Sequence, residues 1–296
     1  MPEQPTSFIT KWGRFGEEDG EFADPIEVAL DSSGNVYVVD TDNNRIQEFD
    51  PDGTFIAKWG SFGTGDGQFG FPTAVALDSS DNVYVVDANN HRIQKFGPDG
   101  TFIAKWGGRG EGDGQFDDPR GVALDSYSNV YVTDLGNRRI QKFDSDGTFI
   151  AKWGSQGEGD GQFVFPVEMA VDSIDNVYVA DTFNHRIQKF DSDGNFITKW
   201  GSFGSFLNEE EGDGQFNNPR GPALDSSDNV YVADQGNNRV QKFDSDGTFI
   251  AKWGRFGTGD GQFNNPTGVA LDSSDNVYVV DANNNRIQKF ALVSPP

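Results

Sequence analysis

Apolar residues along this chain come in short runs that never sustain a helical period. In residues 74–106, Ala74-Val75-Ala76-Leu77 is an apolar run, Asp78-Ser79-Ser80-Asp81 a turn, and Asn82-Val83-Tyr84-Val85-Val86-Asp87 a β-branched and aromatic run. Ala88 to His91 turns again, Arg92-Ile93-Gln94-Lys95-Phe96 alternates, Gly97-Pro98-Asp99-Gly100 is a hairpin signal, and Phe102-Ile103-Ala104-Lys105-Trp106 alternates once more. This reads as four short strands. The first two are almost wholly apolar, as strands buried on both faces are; the last two carry Lys or Gln at every other position, as strands nearer solvent do. Gly or Pro interrupts every stretch of helical length, so the chain is predicted to be all-β.

The unit repeats. Trp12, Trp59, Trp106, Trp153, Trp200 and Trp253 are spaced 47, 47, 47, 47 and 53 residues apart, each within Phe-Ile-(Ala/Thr)-Lys-Trp-Gly. The longer interval is a loop insertion within Ser205 to Glu210. The chain opens with Phe8-Ile9-Thr10-Lys11-Trp12, a fourth strand without its first three, and closes after Arg286 to Phe290, a third strand without its fourth. The two fragments make one unit. They predict a six-bladed β-propeller with four antiparallel strands per blade, closed by the N-terminal strand joining the C-terminal blade and so hiding an aggregation-prone edge. As a single propeller over 1–296, its blades fall at about 22–60, 69–107, 116–154, 163–201, 216–254, and 263–291 plus 7–13.

Within the third unit, Pro119-Arg120-Gly121-Val122-Ala123-Leu124-Asp125, Asn129-Val130-Tyr131-Val132-Thr133-Asp134, Asn137-Arg138-Arg139-Ile140-Gln141-Lys142-Phe143 and Gly147-Thr148-Phe149 resemble the NHL repeat. His91 and His185 supply an Asn-His-Arg similar to the motif that names that family, whereas the Gly-His and Trp-Asp signature of WD40 repeats is absent. The resemblance covers residues 8 to 290. It implies a propeller whose strand four-to-one and strand two-to-three loops share one face.

Composition narrows the chemistry. With 23 Lys+Arg against 47 Asp+Glu the formal charge is −24, which argues against nucleic acid or anionic lipid as partner. No cysteine is present, removing disulfides, thiolate metal sites and cysteine nucleophiles and leaving both a secreted and a cytoplasmic life open. No run approaches the length of a membrane span, and Met1 to Thr6 does not read as a secretory signal. A monomer is expected.

Residues common to all six units belong to the scaffold. Asp40, Asp87, Asp134, Asp181, Asp234 and Asp281 each precede an arginine by five residues (Arg45 to Arg286), which predicts a carboxylate–guanidinium clamp across the turn. Asp31, Asp78, Asp125, Asp172, Asp225 and Asp272 close the first strand, where the side chain accepts from turn amides. Asp-x-Asp-Gly at Asp50, Asp144, Asp191 and Asp244 is similar to part of a calcium loop, but a hairpin needs the same residues and the completing glutamate is missing; no cofactor is expected, calcium being the alternative. Two histidines, in equivalent positions of blades two and four, fall short of a zinc set unless carboxylates fill in. The family's lyases hold an axial zinc with histidines, so the resemblance implies an enzyme as the competing class.

Positions that differ between units cluster on the face the resemblance assigns to the strand four-to-one and two-to-three loops. After each strand-one proline come Ile26-Glu27, Thr73-Ala74, Arg120-Gly121, Val167-Glu168, Arg220-Gly221 and Thr267-Gly268. Phe71, Phe165 and Phe183 stand where other units have Asn, Gly or Asp, and Phe206-Leu207 lies in the insertion. Glu27, Phe71, Arg120, Phe165, Glu168, Phe183, Leu207 and Arg220 are therefore the candidate binding residues, suited to a protein, peptide or carbohydrate-like ligand. No catalytic residue is assigned. Phe62 to Phe69 recurs identically at Phe256 to Phe263, and Asp78 to Asn90 at Asp272 to Asn284, so a recently amplified or engineered scaffold without a ligand is the third reading.

Overall fold

In the computed structural model, residues 6–204 and 212–292 are described. Among them, 24 strands form six four-stranded antiparallel sheets arranged as a closed ring. The third blade is typical: Pro119–Leu124 lines the axis, followed outward by Val130–Asp134, Arg139–Phe143 and Phe149–Trp153. Ring closure follows the sequence reading. Thr6–Trp12 pairs antiparallel with Arg286–Leu292, next to Val277–Asp281 and Pro266–Leu271, so the sixth blade takes its outer strand from the amino end.

The core lies between blades. Each of six apolar clusters joins two neighbours, for example Tyr37, Val39 and Ile46 of the first blade with Phe69, Val75, Val83, Val85 and Phe96 of the second. Trp59 stacks edge-on against Tyr37 of its own blade and leans on Phe96 of the next, at 5.9 and 6.2 Å between ring centres. No blade buries its faces alone, which is why the units must close.

Third strands sit deeper than their alternation suggests. Arg139–Phe143 is buried along nearly its whole length, because its polar side chains are engaged inside the blade. Asp134 Oδ2 accepts from Arg139 Nε (2.7 Å), Gln141 Nε2 (3.1 Å) and Asn137 Nδ2 (2.8 Å), while Oδ1 accepts from the Asp117 amide (2.8 Å). The Arg139 Nη atoms then donate to the carbonyls of Glu111, Gly112 and Gln115 in the loop that enters the blade. All six Asp–Arg pairs recur, at 2.6–3.0 Å. Outer strands do alternate as expected, with Ile150 and Lys152 facing solvent.

The other repeated acids are also structural. Asp125 accepts from the Tyr127 and Asn129 amides and from the Tyr131 hydroxyl. Asp144 accepts from the Asp146 and Thr148 amides, which is the hairpin reading of Asp-Ser-Asp-Gly. Among the described residues no three His, Cys, Asp or Glu side chains gather as a metal set.

Candidate ligand-binding site at the ring axis

Each inner strand breaks register with its neighbour within the four residues that follow its proline. In the third blade Pro119 pairs with Asp134 and Val122 with Val132, so Arg120-Gly121 forms a bulge. The first and fourth blades bulge likewise over Ile26-Glu27 and Val167-Glu168. A bulge re-aims side chains. Here it turns Glu27 and Glu168 toward the central tunnel, whose cavity of about 260 Å³ runs from them down to Leu30, Leu77, Leu124 and Leu271.

Small residues make room for the large ones. A Cβ at Gly121 would stand 2.3 Å from the Val167 carbonyl, and one at Gly221 2.4 Å from the Thr267 carbonyl, so neighbouring inner strands press together there and only glycine fits. Thr73 and Thr267 tie their hydroxyls to the Arg120 and Ile26 carbonyls of the next blades, at 2.8 and 2.6 Å.

Glu27 and Glu168, on opposite blades, are both buried at the mouth. Glu27 Oε1 accepts from the Val28 amide at 3.1 Å, and Glu168 Oε2 from the Gly221 amide at 3.2 Å. Burial, reinforced by the charge of Glu168, pushes the Glu27 carboxyl well above the usual carboxylate range. Glu168 is raised by burial too, opposed by the Arg220 guanidinium, whose Nη1 lies 3.6 Å from Oε1. Arg120 Nη2 donates to Asp118 Oδ2 at 3.0 Å, and its guanidinium lies over the Phe71 ring, 5.7 Å from the centroid.

The candidates thus divide. Glu27, Arg120, Glu168 and Arg220 come together at the mouth, with Phe71 joined through Arg120. Phe165 and Phe183 stack on each other at 4.2 Å; Phe165 packs against the core between the fourth and fifth blades, and Phe183 is half exposed. Leu207 lies outside the described residues.

Both histidines have the same task. His91 and His185 adopt left-handed backbone, and each Nδ1 accepts from a backbone amide of the following blade, Asp118 and Asn218, at 3.2 Å. Asn44 and Asn238 do the same at the equivalent turn. The comparison of units passed over another set: Phe15, Phe62, Phe203 and Phe256, in the strand four-to-one loops, are 58–78% exposed. The signal was present, since the same position holds Arg109 and Gln156 in two units.

A closed wheel of six four-stranded sheets with a funnelled axis defines a β-propeller. Its units are NHL repeats: the NHL repeat family matches residues 22–49, 69–96 and 263–290, a family described as a 6-bladed beta-propeller matches 121–201, and the SMP-30/Gluconolactonase/LRE-like region matches 172–256. The chain is an NHL-repeat propeller. Over 53 residues, 18% of the chain, it is 40% identical to B-box type zinc finger protein ncl-1 of Caenorhabditis elegans and 38% identical to Protein brain tumor of Drosophila melanogaster. Those stretches are 6% and 5% of the respective relatives, so the chain spans a small part of their length. Similar solved structures include a streptogramin B lyase (TM-score 0.64, 15% identity, 96% of this chain and 97% of that one). An auxiliary nutrient binding protein of Bacteroides thetaiotaomicron is similar as well (TM-score 0.67, 15% identity, 91% and 69%). At these identities the likeness is one of fold.

Proposed function

We propose that this propeller is a non-catalytic recognition module that binds a protein, peptide or glycan at the axis mouth, on the face bearing the strand four-to-one and two-to-three loops. The observation that carries the reading is the convergence of two glutamates and two arginines, Glu27, Arg120, Glu168 and Arg220, at positions where the other two units carry Thr73-Ala74 and Thr267-Gly268, in units that otherwise nearly copy one another. A scaffold alone needs no such difference. Buried polar groups beside a shaped cavity fix a ligand's orientation and discriminate against others. The reading as a binder rather than a lyase draws on the histidines, whose Nδ1 atoms are engaged with backbone amides in a role asparagine fills elsewhere. The overall charge favours a partner that is neither nucleic acid nor membrane.

Labelled protein on peptide and glycan arrays tests this. Hits shared by wild type and an opposite-face variant, Tyr127→Ala, and lost in Arg120→Ala and Phe183→Ala with melting temperature unchanged, are the expected result. Hits indifferent to both axis-face substitutions would place binding elsewhere and overturn the reading, and no hits at all would leave only the bare scaffold.

A further inference from the structure

Two sets of arginines in this protein differ in how their donors are used, the six of the clamps and the two at the axis. Clamp arginines are saturated: Arg45 donates through Nε to Asp40 and through both Nη atoms to the carbonyls of Glu17, Glu18 and Glu21. The two at the axis are not. Arg120 makes one side-chain hydrogen bond to a described residue, to Asp118, and Arg220 makes none, its contact with Glu168 being an ion pair at 3.6 Å. The Nε atoms of both are buried and without an acceptor among the described residues. Buried donors left unpaired are costly, more so on a charged group. They stand on the third and fifth blades, either side of Glu168 on the fourth, one residue before Gly121 and two before Pro222, which line a cavity of about 260 Å³. The other side chains at their position are Thr73 and Thr267, whose hydroxyls already bond neighbouring carbonyls, and the apolar Ile26 and Val167.

We propose that Arg120 and Arg220 together seat a carboxylate group of the ligand at the axis mouth, a proposal that rests on the recognition reading above. A guanidinium presents its donors as a planar fork that matches a carboxylate in two parallel bonds, which no neutral group reproduces. The charges present favour a singly charged acid. Asp118 and Glu168 each offset one guanidinium in part, at 3.0 and 3.6 Å, and burial favours the neutral form of the Glu27 carboxyl over a further negative charge. A second negative charge on the ligand would add repulsion from Glu168 and Asp118. The cavity beyond the rim is lined by Val28, Val75, Val122 and Met169 and takes the carbon skeleton behind the acid. Such a group reaches the site either as a small free acid or as an acidic side chain of a peptide.

Calorimetric titration of the full chain separates the possibilities, with three probes: propionate, acetyl-Gly-Glu-Gly-amide and its Gln counterpart. The Glu peptide is expected to saturate and the Gln peptide not. Saturation by propionate as well assigns the free acid; by the Glu peptide alone, the side chain. Loss of a charged hydrogen-bond pair corresponds to about 1.5–3 kcal/mol, so R120Q and R220Q should each weaken binding by roughly ten- to a hundredfold. Glu168→Gln supplies the sign test and holds even where R220Q fails to fold: by releasing Arg220 from its competitor it should tighten the acid several-fold. Equal binding of the Glu and Gln peptides, binding of none of the three probes, or weakening by E168Q overturns the carboxylate assignment. Array hits that remain sensitive to Arg120→Ala and Phe183→Ala in that event leave the recognition reading standing; hits indifferent to both remove it first.

Discussion

Replacing Asp134 by alanine tests whether the buried Asp–Arg clamp, rather than the many surface ion pairs, holds each blade to its entry loop. Asp134 is fully buried and anchors Arg139, Asn137, Gln141 and the Asp117 amide. Its removal leaves the Arg139 guanidinium bonded to three carbonyls but without a counter-charge, in a side chain 9% exposed. Breaking a buried pair from one side costs about 3–5 kcal/mol. At roughly 2–4 °C per kcal/mol for a chain of this size, the midpoint should fall by about 10 °C. Asp66→Ala is the internal control. It removes an ion pair with Lys105 whose side chains are 54% and 43% exposed, and pairs of that kind contribute less than about 1 kcal/mol. Differential scanning calorimetry of D134A, D66A and D134A/R139M gives the comparison, the double variant being expected to recover part of the loss by removing the stranded charge. Equal shifts in D134A and D66A, or a double variant worse than the sum of its parts, would refute the argument.

Further outcomes follow from the same geometry. The folded protein holds the Glu27 proton beyond the pH at which the unfolded chain releases it, so stability falls as pH rises between those two values; E27Q should flatten the stability curve above about pH 5 and gain on wild type as pH increases, read by urea melts at a series of pH values. Ser7 and Ala291 face each other across the closing pair of strands, and the chain has no other cysteine, so S7C/A291C should oxidise to a single species of altered mobility on non-reducing gels, with a raised melting temperature that reductant abolishes. Four blade junctions carry a serine whose amide and hydroxyl donate to the next blade's Asp81, Asp175, Asp228 or Asp275, while Gly34 stands at that position opposite Ser273. Gly34→Asp should therefore stabilise the closing junction by about 1 kcal/mol, and a lower midpoint would sink the idea.

Much of this was legible in the residues because the ring repeats each local rule six times. Spacing alone predicted the clamp and the closing strand, and alternation predicted the outer strands. What alternation misjudged was the third strand: Gln141 reads as solvent-facing, yet its amide is engaged by Asp134, Gly114 and Gln115 deep in the blade. Glu27 and Glu168 were visible as odd residues, but 141 positions of sequence conceal that they meet across the axis, which only ring closure supplies. The bulges that aim them leave no signature beyond a proline. The exposed Phe15, Phe62, Phe203 and Phe256 were missed for the opposite reason: four of six units share them, so they read as scaffold, although Arg109 and Gln156 occupy the same position without altering its pairing.

Hydrogen exchange on the protein with and without an array-derived ligand decides whether recognition takes place at the axis mouth. Binding there slows exchange in the loops that carry Asp118, Phe183 and Asn218 and in the bulges at residues 26–28, 120–122, 167–169 and at Gly221, and leaves the turns at Asp31, Asp125 and Asp225 unchanged. Protection confined to those turns or to the outer strands would contradict it.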